Sequence, residues 1–146
     1  MKNVYVFISQ KYEKLNETLC SQIVKKVLTH YDFKSFDINL IFTSETYVSN
    51  LKKEFFSKTQ WTDVIAFPMH NKNEESVEGE IYISMPTAKE NAEKYNQPYA
   101  KEIARLVIHG SLHLLGYDDN TKKQKNDMSS LEELFLKQIE WRDLFE

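Results

Sequence analysis

The stretch His-Gly-Ser-Leu-His-Leu-Leu-Gly-Tyr-Asp-Asp, from His109 to Asp119, gathers the side chains best suited to holding a divalent metal ion. His109 and His113 are four residues apart, which on an α-helix separates them by about 40° around the axis and about 6 Å along it. Both imidazoles then reach one ion. Gly116 breaks the helix and lets the chain turn back, bringing Asp119 towards the same point. Asp118 is an alternative third ligand. Two histidines on an apolar helix also suit core positions with their ring nitrogens satisfied by backbone or water. The glycine and the acidic residue at matching offsets favour the metal.

The offsets, with the second histidine at four, glycine at seven and a further ligand at ten, copy the layout of the metzincin zinc motif. Two histidines and one carboxylate leave a tetrahedral ion one open position, as in catalytic rather than structural zinc sites. The carboxylate lowers the net charge of the ion and its ligands, and makes the site more tolerant of manganese. Zinc is the expected ion. The residue after the first histidine is Gly110, where those proteases carry a glutamate base, so peptide hydrolysis by their mechanism is not expected.

These residues need a long helix, and the pattern supplies one. Pro98 opens a nearly all-apolar helical run from Ile103 to Leu115, which Gly116 ends. Around it the sequence predicts a strand at Val4 to Ile8 and an amphipathic helix bearing Leu15, Leu19, Ile23, Val24, Val27 and Leu28. A second strand, Phe36 to Thr43, leads into a helix from Ser44 to about Phe55. Short strands follow at Asp63 to Phe67 and Glu80 to Ser84, with a polar loop from His70 to Glu78 between them. Pro86 begins a helix reaching Tyr95. Thr121 begins a last one, with Leu131, Leu134, Phe135 and Ile139 on its inner face and Trp141 and Phe145 docking its final turns. The expected architecture is α+β: one domain, 1–146, with a mixed sheet of about four strands covered by about five helices.

Composition bounds the partners. The chain has 146 residues, a net charge of −3 and interspersed charges of both signs. A surface that grips nucleic acid all over is excluded, so any RNA-binding face is local. The apolar run is too short and too interrupted to span a bilayer, and no secretory leader is evident. Cys20 is the single cysteine and sits among apolar residues at helical spacing, which predicts a buried thiol and a reducing, cytoplasmic setting.

The motif resembles that of the YbeY endoribonucleases, H-G-x-L-H-L-x-G-Y-D-H, at every position but the last. The segment Thr62 to Pro68, TDVIAFP, is similar to that family's threonine-aspartate strand. GEIYIS at 79–84, Leu51 and Lys58 are also in register, and the resemblance covers roughly residues 40 to 135. It implies an α+β fold and a zinc-dependent endoribonuclease that prefers single strands, matures ribosomal RNA precursors, and works with the ribosome or small-subunit proteins in its quality control. The substrate implied is RNA rather than DNA. Asp119 replaces a third histidine, which retunes such a site without removing it. Phe56 stands where many members carry arginine after an aromatic residue, so either Lys53, Lys58 or Arg105 takes over phosphoryl charge stabilisation or hydrolysis is weak.

Lys58, Arg105, Lys122 and Lys123 are accordingly candidate substrate contacts, although lysines at a helix start are commonly just solvated. Asp63 is a candidate partner for a ligand histidine, or a turn-and-cap residue with Thr62. Tyr117 and Trp61 are candidates for stacking on unpaired bases, and His30 and His70 read as ordinary polar surface residues. No side chain stands out as the general base. Two rival readings remain: a ribosome-assembly binding factor whose ion is largely structural, and a metallohydrolase for another substrate.

Overall fold

The computed structural model describes residues 1–56, 62–71 and 75–146. The elements follow in the order β1 (Lys2–Ile8), α1 (Glu17–His30), β2 (Ser35–Thr43), α2 (Glu45–Phe56), β3 (Val64–Pro68), β4 (Ser76–Ser84), α3 (Met85–Lys94), α4 (Tyr99–Leu114) and α5 (Lys122–Leu136). A short 3₁₀ turn, Trp141–Asp143, closes the chain. The sheet order is β1-β2-β4-β3, with β1, β2 and β4 parallel and β3 antiparallel to β4 at one edge. This is the α+β fold with four strands and five helices that the pattern predicts.

Alternation decides which face of the sheet is buried. Phe36, Ile38, Leu40 and Phe42 of β2 are in register with Val77, Gly79, Ile81 and Ile83 of β4, and their side chains form the floor of the core. Helices α1 and α4 cover that floor, and α3 and α5 pack beside α4. Helix α4 buries Ile103, Leu106, Val107, Ile108, Leu112 and Leu114, each stabilising the fold by about 1.5–3 kcal/mol. It is therefore a fixed support for the two histidines. The thiol of Cys20 lies inside this core, where burial pushes it up to about 12 and makes it unreactive.

Three expectations are corrected. Strand β4 begins at Ser76, so the expected loop 70–78 gives up its last residues to the sheet, where parallel pairing with Ser35 to Asp37 outweighs the weak strand propensity of Ser76 and Glu78. Helix α5 buries Met128, Glu132, Phe135 and Leu136, while Leu134 is exposed. Trp141 and Phe145 lie beyond the helix, in the 3₁₀ turn and in a bridge from Phe145 to Leu15. Ser44 accepts a hydrogen bond from the Tyr47 amide and starts α2 as expected. Among the described residues, no helix is long and apolar enough to cross a membrane.

Candidate metal centre

The last two turns of α4 and the loop behind it bring three side chains to one point. His109 Nε2 and His113 Nε2 lie 3.0 Å apart, and Asp119 Oδ2 lies 3.4 Å from the first and 3.6 Å from the second. A tetrahedral ion with bonds of about 2.0–2.1 Å separates its ligand atoms by about 3.3–3.4 Å. The triangle thus fits a zinc-sized cation. His109, His113 and Asp119 form such a group with all ligand atoms within 4.8 Å. Asp118 lines the same cavity but does not belong to that group, whose third member is Asp119.

Local chemistry explains how the loop delivers Asp119. Gly116 has φ of +96°, a conformation that lets the chain leave the helix at a sharp angle. Five residues on, the Thr121 side chain accepts from the Gln124 amide while Gln124 accepts from the Thr121 amide, a reciprocal cap that fixes the start of α5. The bend and the cap bracket Asp119 between two rigid helices.

The imidazoles are prepared as ligands. Glu132 of α5, buried, accepts a hydrogen bond of 2.6 Å from His109 Nδ1. That bond puts the ring proton on Nδ1 and turns the lone pair of Nε2 towards His113 and Asp119. His113 is held below the usual histidine range, first by burial and then by the neighbouring His109, so it is the neutral, ligating form that prevails. Two Nε2 atoms this close repel unless a cation or a proton lies between them.

Glu132 is itself held. Arg105 donates to it at 3.1 Å and to both oxygens of Glu102 at 2.8 Å. Bonding to Glu102, outweighing burial, holds the guanidinium firmly protonated. Arg105 is committed to this network and is not among the residues that line the cavity over the histidines. Asp63 accepts from Asn91 at 3.1 Å and lies 3.9 Å from Arg105. The carboxylate bonded to a ligand histidine is Glu132, not Asp63.

The histidines open into a cavity of about 390 Å³ that runs along the free edge of β3. Besides the three candidate ligands it is lined by Lys52 and Phe56 of α2, by Thr62, Asp63 and Asp118, and by β3 itself. Its size falls within the range of small-ligand sites, about 300–1,000 Å³. Lys122 and Lys123 are exposed at the start of α5 and are not among its lining residues. Tyr117 packs against Tyr31, His30 is exposed at the end of α1, and His70 bonds to the backbone of Glu78. Lys58 and Trp61 lie outside the described residues. Gly110 faces the sheet: a Cβ there would lie 2.5 Å from Ile81 Cγ2, so a larger residue fits between the histidine helix and β4 only if something shifts. Sequence reasoning missed Glu132, whose distance along the chain hides it, and Lys52, which no motif singles out.

Fold and site together define an α+β domain that carries a His-His-Asp group of metal-binding geometry at the end of its central helix. The family model described as endoribonuclease YbeY matches residues 5–140, and the chain belongs to that family. A relative from Persephonella marina, named endoribonuclease YbeY, is 33% identical over 129 residues, covering 86% of this chain and 84% of its own. One of the same name from Thermotoga maritima is 35% identical over 137 residues, covering 92% and 85%. A solution structure of a Thermotoga maritima protein matches with a TM-score of 0.66 at 26% identity, over 96% of this chain and 92% of that one.

Proposed function

We propose that this protein is a zinc-dependent endoribonuclease that prefers single-stranded RNA, matures ribosomal RNA precursors and takes part in ribosome quality control, acting in the cytoplasm beside small-subunit proteins. The observation that carries the reading is the triangle of His109, His113 and Asp119, braced by Glu132 and open to a cavity, in a chain whose relatives are named endoribonucleases.

The residues divide the work. His109, His113 and Asp119 would hold the ion, which when bound supplies Lewis-acid activation of a phosphodiester and of water. Glu132 fixes the ring of His109, and Arg105 fixes Glu132. Asp118, exposed at the cavity wall and without a hydrogen-bond partner among the described residues, is the carboxylate there free to accept a proton. Gly110 leaves no side chain in the position from which a zincin glutamate acts.

The alternative, a ribosome-assembly factor with a structural ion, is favoured by the cavity's single lysine among its described lining residues. Incubation of zinc-loaded protein with single-stranded and duplex RNA separates the two. Cleavage of the single strand is expected, abolished by a chelator and by His113→Ala. Equal, negligible cleavage by wild type and variant would remove the enzyme reading.

A further inference from the structure

Among the described residues that line the cavity with the histidines, one is a large aromatic, Phe56, and further rings brace it from behind. Phe56, the last residue of α2, stacks on Phe67 of β3 with ring centroids 5.7 Å apart and planes 23° from parallel. Phe55 meets the edge of the same Phe67 at 5.3 Å, and Phe67 in turn meets Tyr82 at 5.9 Å. Tyr82 stacks on Tyr47, also at 5.9 Å. Despite this company Phe56 is 47% exposed and Phe55 60% exposed. Single exposed apolar residues are ordinary, but a cluster of rings that braces one exposed member, Phe56, at the lining of a cavity marks a binding surface.

We propose that Phe56, held in parallel stack on Phe67, is the platform on which an unpaired base of the RNA lies when its phosphate is at the His109–His113–Asp119 group. The assignment rests on the endoribonuclease reading and says how that substrate is gripped. Three observations favour a base as occupant. The platform and the candidate ligands line one cavity, so a strand lying in it meets both. Phe67 already fixes the ring of Phe56, so stacking on its open face orders little that is not ordered beforehand.

The third observation is charge. Lys52 is the one lysine or arginine among the described lining residues, against Asp63, Asp118 and Asp119. Phosphate neutralisation by these described residues is slight, and stacking on Phe56 adds affinity that does not depend on charge. A base in a duplex has both faces covered by its neighbours, so a platform of this kind selects unpaired strands.

The test uses single-stranded RNA containing 2-aminopurine, whose fluorescence falls when the base stacks, titrated with zinc-loaded protein. Quenching is expected at one position of the oligonucleotide. Phe56→Ala should weaken binding by about fivefold to 100-fold and remove the quenching. Phe56→Trp should restore both, whereas Phe56→Leu, apolar but not aromatic, should behave like the alanine variant. An abasic site at the quenched position should weaken binding of wild type to the same degree and leave Phe56→Ala unaffected. Lys52→Ala should make the salt slope of binding shallower by about 0.7, that of one single-strand phosphate contact.

Unchanged affinity and quenching in Phe56→Ala would overturn the platform and leave the endoribonuclease reading standing. No binding of RNA by wild type would sink both. Self-association of wild type that Phe56→Ala abolishes, with RNA binding intact, would assign the aromatic patch to a second copy of the chain and overturn the proposal.

Discussion

The two walls of the cavity are built on opposite principles. On the α4–α5 side charged groups are joined in a chain of bonds: His109 to Glu132, Glu132 to Arg105, Arg105 to Glu102. On the α2–β3 side the contacts are between aromatic rings, and Phe55 and Phe56 remain largely open to solvent. Hydrogen bonds between charged groups have narrow geometry, so they hold ligand atoms to within tenths of an ångström. Ring contacts are worth less individually and tolerate lateral shifts. A site that must fix a small ion while admitting different nucleotides needs one wall of each kind, and changes to the two walls should have different signatures.

Glu132→Gln attacks the bonded wall with little change of shape. The amide still accepts from His109 Nδ1, but without the charge that raises the basicity of the ring. Metal affinity should fall by about 10–100-fold, measured by competition with a chromophoric chelator. Arg105 keeps both bonds to Glu102, so unfolding in urea should register a loss of no more than about 3 kcal/mol. RNA affinity of the aromatic wall should be untouched when metal is saturating. If zinc binds Glu132→Gln as tightly as wild type, Glu132 serves only as a partner for Arg105 and the division between the walls is wrong.

Gly110→Ala tests whether the bonded wall depends on how closely α4 approaches the sheet. The new methyl would sit 2.5 Å from Ile81 Cγ2 and 3.4 Å from Val64 Cγ2. Alanine is the better helix former by about 1 kcal/mol, whereas overpacking of this kind costs about 1–3 kcal/mol. A net loss of up to about 2 kcal/mol is expected, read from the urea midpoint. Pairing it with Ile81→Ala, which removes the clashing methyl, should lose less than the sum of the single changes. Additive losses would mean that the clash is relieved elsewhere.

How much of this was legible in the sequence follows the range of the interactions. His109 and His113 declare themselves because helical period fixes both their faces, and Asp119 follows because Gly116 and the capping pair Thr121 and Gln124 determine the turn between two helices. All of that lies within sixteen residues. Glu132 is invisible by the same logic, since its meeting with His109 depends on how α5 lies across α4. Arg105 reads as a free cation in sequence and proves bound, because Glu102 is one turn away on the same face and Glu132 arrives from another helix. The start of β4 was hidden for a related reason: Ser76 and Glu78 carry no strand signal of their own and are drawn into the sheet by β2. Phe56 shows the opposite case, a residue whose type was plain but whose role depends on Phe67 beneath it.

The smallest effect should come from Lys122 and Lys123, which by charge alone look like phosphate contacts. Both are exposed, and neither lines the cavity that holds the candidate ligands and the aromatic platform. They also occupy the first turn of α5, where the helix dipole is positive and a cation is disfavoured, so nothing local orders them for a phosphate. Their attraction for RNA is through solvent and is screened within about 10 Å at 0.1 M salt. The double variant Lys122→Ala, Lys123→Ala should therefore bind single-stranded RNA within about twofold of wild type at that salt concentration. Its salt slope should also be unchanged. A clear drop in affinity together with a shallower slope would extend the binding surface past the loop at Asp119 onto α5, and make recognition a property of both walls.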